Sequence, residues 1–469
     1  MQWTQSQQDA IEARRGTVLV AAAAGSGKTA VLVQRAIERL TNREAPTMAN
    51  KMLIVTFTKA AAAEMRARLE QRLDQLTREN PGDSLLRRQS ILLHQAHIGT
   101  VDSFCAEMVR EFFHLLELPP DFKILSDKRE EELTAQALDE ALAAAYDGGA
   151  IAPLADAFAA ERDDRRLARM VLSLYRFMQS HPFPERWLDA KVAMYFAGDP
   201  TPWERVVLSY AAEAGIYCAA LLEGLLRLAG EDPALDKAFA SALTGDREAC
   251  RALAEAAQAG DWDRAAACQK SFAPQRRGAL RGWDKEDPLL QRLEAGRAQV
   301  KKTMGDLGKC LGGSRAGNRR ELEGAGPLLK YLAELTLDFA QRYREKKLEK
   351  NFLDYSDLEH QAIRLFCKED GTPTAAAREV SQRFDEIMID EYQDINEVQD
   401  SIFQAVSKKG ENLFMVGDVK QSIYGFRRAM PEIFLRRRAG YQKYDRSLDR
   451  YPAALVLERN FRSRPQVLE

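Results

Sequence analysis

The run Ala22-Ala23-Ala24-Gly25-Ser26-Gly27-Lys28-Thr29, directly after the apolar stretch Thr17-Val18-Leu19-Val20-Ala21, constrains this chain more than any other part of it. A short β-prone run, a loop of small residues and a Lys-Thr pair opening a helical pattern form the arrangement that a phosphate-binding loop needs. Residues without bulk let successive backbone N–H groups curl around phosphate oxygens, and the N-terminus of the following helix adds partial positive charge. In that role Lys28 reaches the β- and γ-phosphates and the Thr29 hydroxyl ligates Mg²⁺. The usual first glycine is Ala22 here, a small departure. The alternative is an ordinary strand–turn–helix corner with a chance Gly-Lys-Thr.

Over residues 1–125 strand-like and helical segments alternate: strand 17–23, helix 28–40, strand 52–57, helices 59–77 and 84–95, a strand near 97–101 and helix 102–116. Such alternation implies an α/β fold, a parallel sheet with helices on both faces. From 126 to 350 the chain is rich in Ala, Leu and charge and has few β-branched runs, which reads as an all-helical domain inserted into the first, with Gly-rich breaks near 145–150, 305–318 and 323–326. The α/β pattern returns from 351. Ser356-Asp357-Leu358-Glu359 reads as a capping box opening a helix that runs to 368. Segments 384–389 and 412–416 read as buried strands, 396–406 and 431–440 as helices, and 454–457 as a last strand.

The second informative feature is Ile387-Met388-Ile389-Asp390-Glu391-Tyr392-Gln393-Asp394. An apolar strand ending in Asp-Glu puts two carboxylates at the carboxyl edge of a parallel sheet, where ligands bind in such folds. Asp390 suits the Mg²⁺ that bridges phosphates. Glu391, pointing elsewhere, suits a general base that polarises an attacking water. An acidic loop after a strand is the plainer alternative.

Composition narrows the class further. At 45% hydrophobic and 29% charged the chain reads as a soluble globular protein, and its polar start, Met1-Gln2-Trp3-Thr4, lacks the layout of a signal peptide. No apolar run stands out as approaching the ~18 residues of a membrane span. Six cysteines, at 105, 218, 250, 268, 310 and 367, show no C-x-x-C spacing, which argues for reduced thiols in a cytoplasm and against zinc. The net charge of −2 requires any nucleic-acid site to be a local groove.

Asp390-Glu391-Tyr392-Gln393-Asp394-Ile395-Asn396 resembles motif II of superfamily-1 helicases of the UvrD/Rep type. Further family motifs follow in family order. The segment 3–11 resembles the N-terminal glutamine motif, which implies that Gln7 reads the adenine edge. The segment 55–65 is similar to motif Ia, 416–427 to motif III and 457–463 to motif IV. By that resemblance the cofactors are ATP and Mg²⁺. Gln421 senses the γ-phosphate, Arg462 neutralises charge on the transferred phosphoryl group and Phe461 stacks on adenine. Thr56, Phe57, Thr58 and Lys59, with Tyr424, Phe426 and Arg427, touch single-stranded DNA. Base–aromatic stacking is worth ~1–3 kcal/mol per base and tolerates any sequence, which suits a motor. Core packing is the alternative for Phe57 at its strand end, and a plain surface position for Gln421. The basic stretches 342–350 and 436–438 read more simply as solvated helix faces.

Within the family, 180–187, 352–358 and 98–105 resemble the AddA group of helicase–nucleases, with RecB-like and UvrD-like membership still open. The resemblance implies a RecA-like motor domain in two parts, 1–125 and 351–456, a helical insertion at 126–350, and the start of a second motor domain at 457–469. It further implies 3′→5′ translocation and unwinding in double-strand break repair, a cytoplasmic setting and an AddB-type partner in a heterodimer. Two departures stand out: Ala30 replaces a frequent Arg, and Asp102 a frequent His. Because the chain stops just past motif IV, the second motor domain with its arginine finger, worth ~10³–10⁵ in turnover, and the nuclease domain are expected outside it. This chain alone is then expected to bind Mg·ATP weakly and to turn it over poorly. A non-enzymatic alternative is a nucleotide-sensing, DNA-binding scaffold. A nucleotide kinase is disfavoured by the motif III likeness.

Overall fold

The computed structural model describes residues 3–461 apart from 14–15, 148–152, 155–156, 158–163, 197–200, 281, 285, 424, 426–427 and 449. Nine strands lie in two parallel sheets among these residues: β1 Val18–Ala22, β2 Met52–Thr56, β3 His97–Thr100, β4 Lys123–Ile124, β5 Phe352–Leu353, β6 Glu386–Ile389, β7 Leu413–Gly417, β8 Gln442–Lys443 and β9 Ala453–Leu457. The main sheet has seven strands in the order β3-β2-β6-β7-β1-β9-β8, with every pairing parallel. This is the α/β class that the alternating pattern implies.

The period of two along each strand sorts side chains to opposite faces. Leu19, Ala21, Leu53, Val55, Ile387, Ile389, Leu413 and Met415 face one layer of helices, built from Val101–Glu111, Tyr355–Phe366 and Glu397–Ala405. Val18, Val20, Ile54, Met388, Phe414 and Val416 face the other, built from Gln5–Glu12, Lys28–Thr41, Lys59–Glu79 and Ser84–Leu93. Burial on both faces is why β1, β2, β6 and β7 read as continuous apolar runs rather than alternating ones. Because all strands run the same way, the segments after β1, β2, β6 and β7 emerge along one carboxyl edge.

The chain divides into two compact units, residues 1–188 with 334–469, and residues 189–333. The second unit is helical throughout its regular elements. In the first unit, the end of the helix Arg315–Glu349 packs Tyr343 edge-on to Tyr175 and pairs Lys346 with Glu140. In the second, Thr201–Ala229 lies along Pro233–Gln258 with Cys218, Leu222, Leu235, Phe239 and Leu243 fully buried.

Three local expectations need correcting. The expected break at 323–326 lies inside the helix Arg315–Glu349, which continues through Pro327. Glycine and proline each weaken a helix locally, but packing along the rest of its length prevails. The capping box starts two residues earlier than Ser356: Asp354 is the N-cap, accepting the Asp357 N–H at 2.7 Å, while Asp357 accepts the Asp354 N–H at 2.9 Å. Lys347 Nζ, 2.6 Å from both carboxylates, fixes that choice. Finally, Pro202–Ala229 is long and apolar enough to cross a membrane by length and composition. Ser209, Glu213 and Gly215 mask this in the sequence, and 44% of its most apolar window is buried in the fold.

Candidate nucleotide and strand sites

At the carboxyl end of β1 the chain turns through Gly25 (φ 72°) and Gly27 (φ 83°), backbone conformations that side chains disfavour. Gly27 is the N-cap of Lys28–Thr41 and makes no side-chain cap, so the first N–H groups of that helix keep their capacity to bind an anion. Ser26 Oγ is buried with no hydrogen-bond partner in the structure. Uncapped donors and an orphaned hydroxyl in a glycine-turned loop fit a phosphate. Ala22 is the last residue of β1, paired with Leu457, while Ala23 and Ala24 are exposed in the loop and Thr29 is half-buried in the first helical turn.

Lys28 Nζ lies 2.8 Å from Glu391 Oε2, although 363 positions separate the two residues. That contact follows from topology. β6 is two strands from β1, with β7 between them, and all three end on the same edge. The Asp390 N–H donates to Val55 O at 2.9 Å, anchoring the turn after β6 to β2. Glu391 then adopts a left-handed conformation (φ 49°, ψ 43°), and its N–H donates to Asp390 Oδ1 at 3.0 Å. A non-glycine residue held there stores ~1–3 kcal/mol of strain, which surrounding contacts must offset. Burial, reinforced by Glu391, pushes the Asp390 carboxyl up to about 6. A bound cation would relieve that penalty, which fits the metal-ligand role expected of Asp390.

Gln421 follows β7 in the turn Val419–Gln421 and donates from Nε2 to Asp418 Oδ2 at 2.6 Å. Gln7 is buried and braces the loop: Nε2 donates to Ser26 O at 3.0 Å while Oε1 accepts the Thr4 N–H at 3.0 Å. Phe461 N–H donates to Gly25 O at 2.8 Å, and Asn460 Nδ2 donates to Ala24 O at 2.9 Å. The Phe461 ring is 51% exposed and carries the Arg459 guanidinium 5.3 Å from its centroid, leaving a face for stacking. Arg462, Tyr424, Phe426 and Arg427 lie outside the described residues.

After β2, Thr56 Oγ1 donates to Thr58 O at 3.0 Å, and Thr58 Oγ caps the helix Lys59–Glu79 through the Ala61 N–H at 3.1 Å. Lys59 is exposed. Phe57 lines a cavity of about 550 Å³ together with Arg176, Tyr355, Asp394 and Arg428. Phe57, Tyr355, Arg176 and Arg428 suit the bases of a single strand, whereas Asp102, Glu130, Asp354 and Glu359 in the same lining oppose its phosphates.

Sequence reasoning assigned no role to three residues that hold these sites together. Gln393 bonds Glu391, Asp394 and the backbone of Asp418, and Asp418 is the partner of Gln421. Arg35, inside the helix after the phosphate loop, pairs with Glu386 at the start of β6 at 2.8 Å. Gln393 and Asp418 stood within motif-like segments. A charged residue opening the apolar run at 386 was the available sign of the buried pair.

Comparison with known proteins identifies the family. The family described as UvrD/REP helicase N-terminal domain matches residues 3–168 and 321–442. The A subunit of the ATP-dependent helicase/nuclease of Moorella thermoacetica is 39% identical over 486 residues, covering 100% of this chain and 34% of that protein. Its namesake from Geobacillus kaustophilus is 37% identical over 484 residues, covering 100% of this chain and 39% of the relative. The chain thus spans between a third and two fifths of the length of these curated relatives. Since the family match takes in the phosphate loop on β1 as well as the Asp-Glu turn after β6, the chain belongs to the UvrD/REP helicase family.

Proposed function

We propose that this chain is the ATP-binding motor portion of an AddA-type DNA helicase–nuclease, moving 3′→5′ on single-stranded DNA in double-strand break repair and recombination. In this reading 1–125 and 351–456 form the first motor domain, 126–350 its insertion and 457–469 the entry to a second. An AddB-type protein is the partner and the cytoplasm the setting. The observation that carries it is the Lys28–Glu391 contact at 2.8 Å, which joins the phosphate loop to the proposed base. The names of the relatives support the nuclease and repair context.

Lys28 and the uncapped N–H groups after Gly27 hold the β- and γ-phosphates. Thr29 and Asp390 would hold Mg²⁺, which would supply charge neutralisation at the phosphates. Once phosphate takes the positive charge of Lys28, Glu391 Oε2 loses its ion-pair partner and becomes free to accept a proton from the attacking water. Gln421, tied to Asp418, is placed on the neighbouring strand end to sense the γ-phosphate. Phe57 stacks a base, while Thr56, Thr58 and Lys59 line the phosphate side of the same strand. Gln7 and Phe461 border the adenine. Arg462 belongs to the transition state, and Tyr424, Phe426 and Arg427 extend the strand path.

ATP hydrolysis measured with and without an oligothymidylate tests the reading. Slow, magnesium-dependent turnover is expected from this chain, and DNA-stimulated turnover once the second motor domain is supplied. Turnover indifferent to DNA in both cases would remove the motor.

A further inference from the structure

Residues 182–186 lie in a segment distinctive in the sequence, and neither proposed site uses them. They close one side of a second cavity, of about 670 Å³, whose other walls are two helices. Arg315–Glu349 contributes Leu337, Ala340, Gln341 and Arg344, and Tyr355–Phe366 contributes Asp357, His360, Gln361 and Arg364. Both sets have the spacing i, i+3, i+4, i+7, so each is one face of its helix. Two helix faces that line one hollow make a groove of the kind that seats a third helix. Leu348, 42% exposed, continues the first face one turn further.

The groove carries charge that the protein itself does not compensate. Outside it, the same stretch of helix pairs its cations: Arg342 with Asp338 at 2.8 Å, Lys346 with Glu140 at 2.7 Å and Lys347 with Asp354 at 2.6 Å. On its rim, the exposed Arg186, Arg344 and Arg364 form no ion pair among the described residues. Arg364 Nη1 donates to Gln361 Oε1 at 3.2 Å and Arg186 Nη1 to Glu369 O at 2.9 Å, neutral acceptors that orient a guanidinium without cancelling its charge. Burial holds His360 down to about 4, so at neutral pH it adds no charge, and Asp357 is matched by Lys347 Nζ at 2.6 Å. The floor beneath is apolar, with Met178 and Ile363 buried.

A polyanionic strand fits this groove poorly. Glu185 and Glu369 also stand on the rim, and the rings are engaged elsewhere, Tyr175 edge-on to Phe339 and Tyr343, and Phe183 against the core. An amphipathic helix fits well, with apolar side chains on the floor and carboxylates reaching guanidiniums that bind them as forks. We propose that this groove is a docking site for an acidic amphipathic helix of a partner polypeptide, held by Arg186, Arg344 and Arg364 over a floor of Leu337, Ala340 and Ile363. The proposal does not depend on the motor reading.

The test uses this chain and two fluorescent peptides with leucine at i, i+3, i+4 and i+7, one flanked by glutamates and one by lysines. In fluorescence anisotropy the glutamate peptide is expected to bind saturably, at least about tenfold tighter than the lysine peptide, and to weaken as salt rises. Arg344→Glu with Arg364→Glu inverts that order, because the complementary charge then lies on the lysine peptide. Ala340→Trp fills the floor and weakens the glutamate peptide by a similar factor with the charge unchanged. Equal affinity for the two peptides in wild type, no binding of the glutamate peptide, or an order that survives charge reversal would overturn the proposal. So would a loss of oligothymidylate affinity in the charge-reversed chain with glutamate-peptide affinity unchanged, which would make the groove a path for nucleic acid. Thermal unfolding identifies a misfolded variant, and the exposed arginine pair carries the test if the Trp variant does not fold.

Discussion

Replacing Lys28 by alanine is expected to lower ATP turnover by about 10²–10³-fold, the loss seen when a preorganised electrostatic donor is removed from a reacting site. Two effects act in the same direction. The phosphates lose the charge that the loop places beside them, and Glu391 Oε2 loses its partner at 2.8 Å, so its rotamer is no longer set. Lys28→Arg separates these effects. It keeps the charge, but a planar guanidinium does not substitute for a compact ammonium in a loop shaped by Gly25 and Gly27. Turnover of the Arg variant is expected to stay far below wild type. A phosphate-release assay at saturating Mg·ATP reads both variants, and near-wild-type rates for Lys28→Ala would dissociate the loop from the chemistry.

Arg35→Ala is expected to destabilise the fold by about 3–5 kcal/mol, as breaking a buried ion pair does when one charge is left behind. Arg35 is 2% exposed, and Nε donates to Glu386 Oε1 at 2.8 Å, Nη1 to Ala10 O at 2.8 Å, with the guanidinium 4.0 Å from the Phe414 ring centroid. Burial pulls the Arg35 guanidinium down to about 10, still charged at neutral pH. Its removal strands Glu386 with Arg39 at 3.3 Å as its remaining cation. The pair also has a functional consequence. It ties the helix after the phosphate loop to the strand that carries Asp390, and through Ala10 to the helix of Gln7. Denaturant titration measures the loss. The double replacement Arg35→Met with Glu386→Leu is expected to recover part of it, since it removes the buried carboxylate along with its main partner but leaves Arg39 without Glu386.

How much of this was legible in the sequence follows from the range of each interaction. The loop at 22–29 and the strand ending at Ile389 announce themselves locally, through small residues, apolar runs and the period of their flanking helices. The parallel sheet follows from that alternation. The capping box did not read correctly, because Asp354 and Ser356 offer equivalent local chemistry and Lys347, fixed by a different helix, selects between them. Gly324, Gly326 and Pro327 mark a break by propensity alone, yet the helix runs through them. Least legible are the pairs that hold the candidate site: Arg35 and Glu386 stand 351 positions apart, and Gln393 meets Asp418 across 25. No spacing rule brings such residues together; the strand order does.

A crystal structure of this chain with Mg²⁺ and a non-hydrolysable ATP analogue tests most directly whether the loop after β1 and the turn after β6 form one site. The expected density shows the β- and γ-phosphates on Lys28 and the helix N-terminus, the cation between Thr29 and Asp390, and Glu391 released from Lys28. A nucleotide bound elsewhere with the Lys28–Glu391 pair intact, or a cation remote from Asp390, would contradict it.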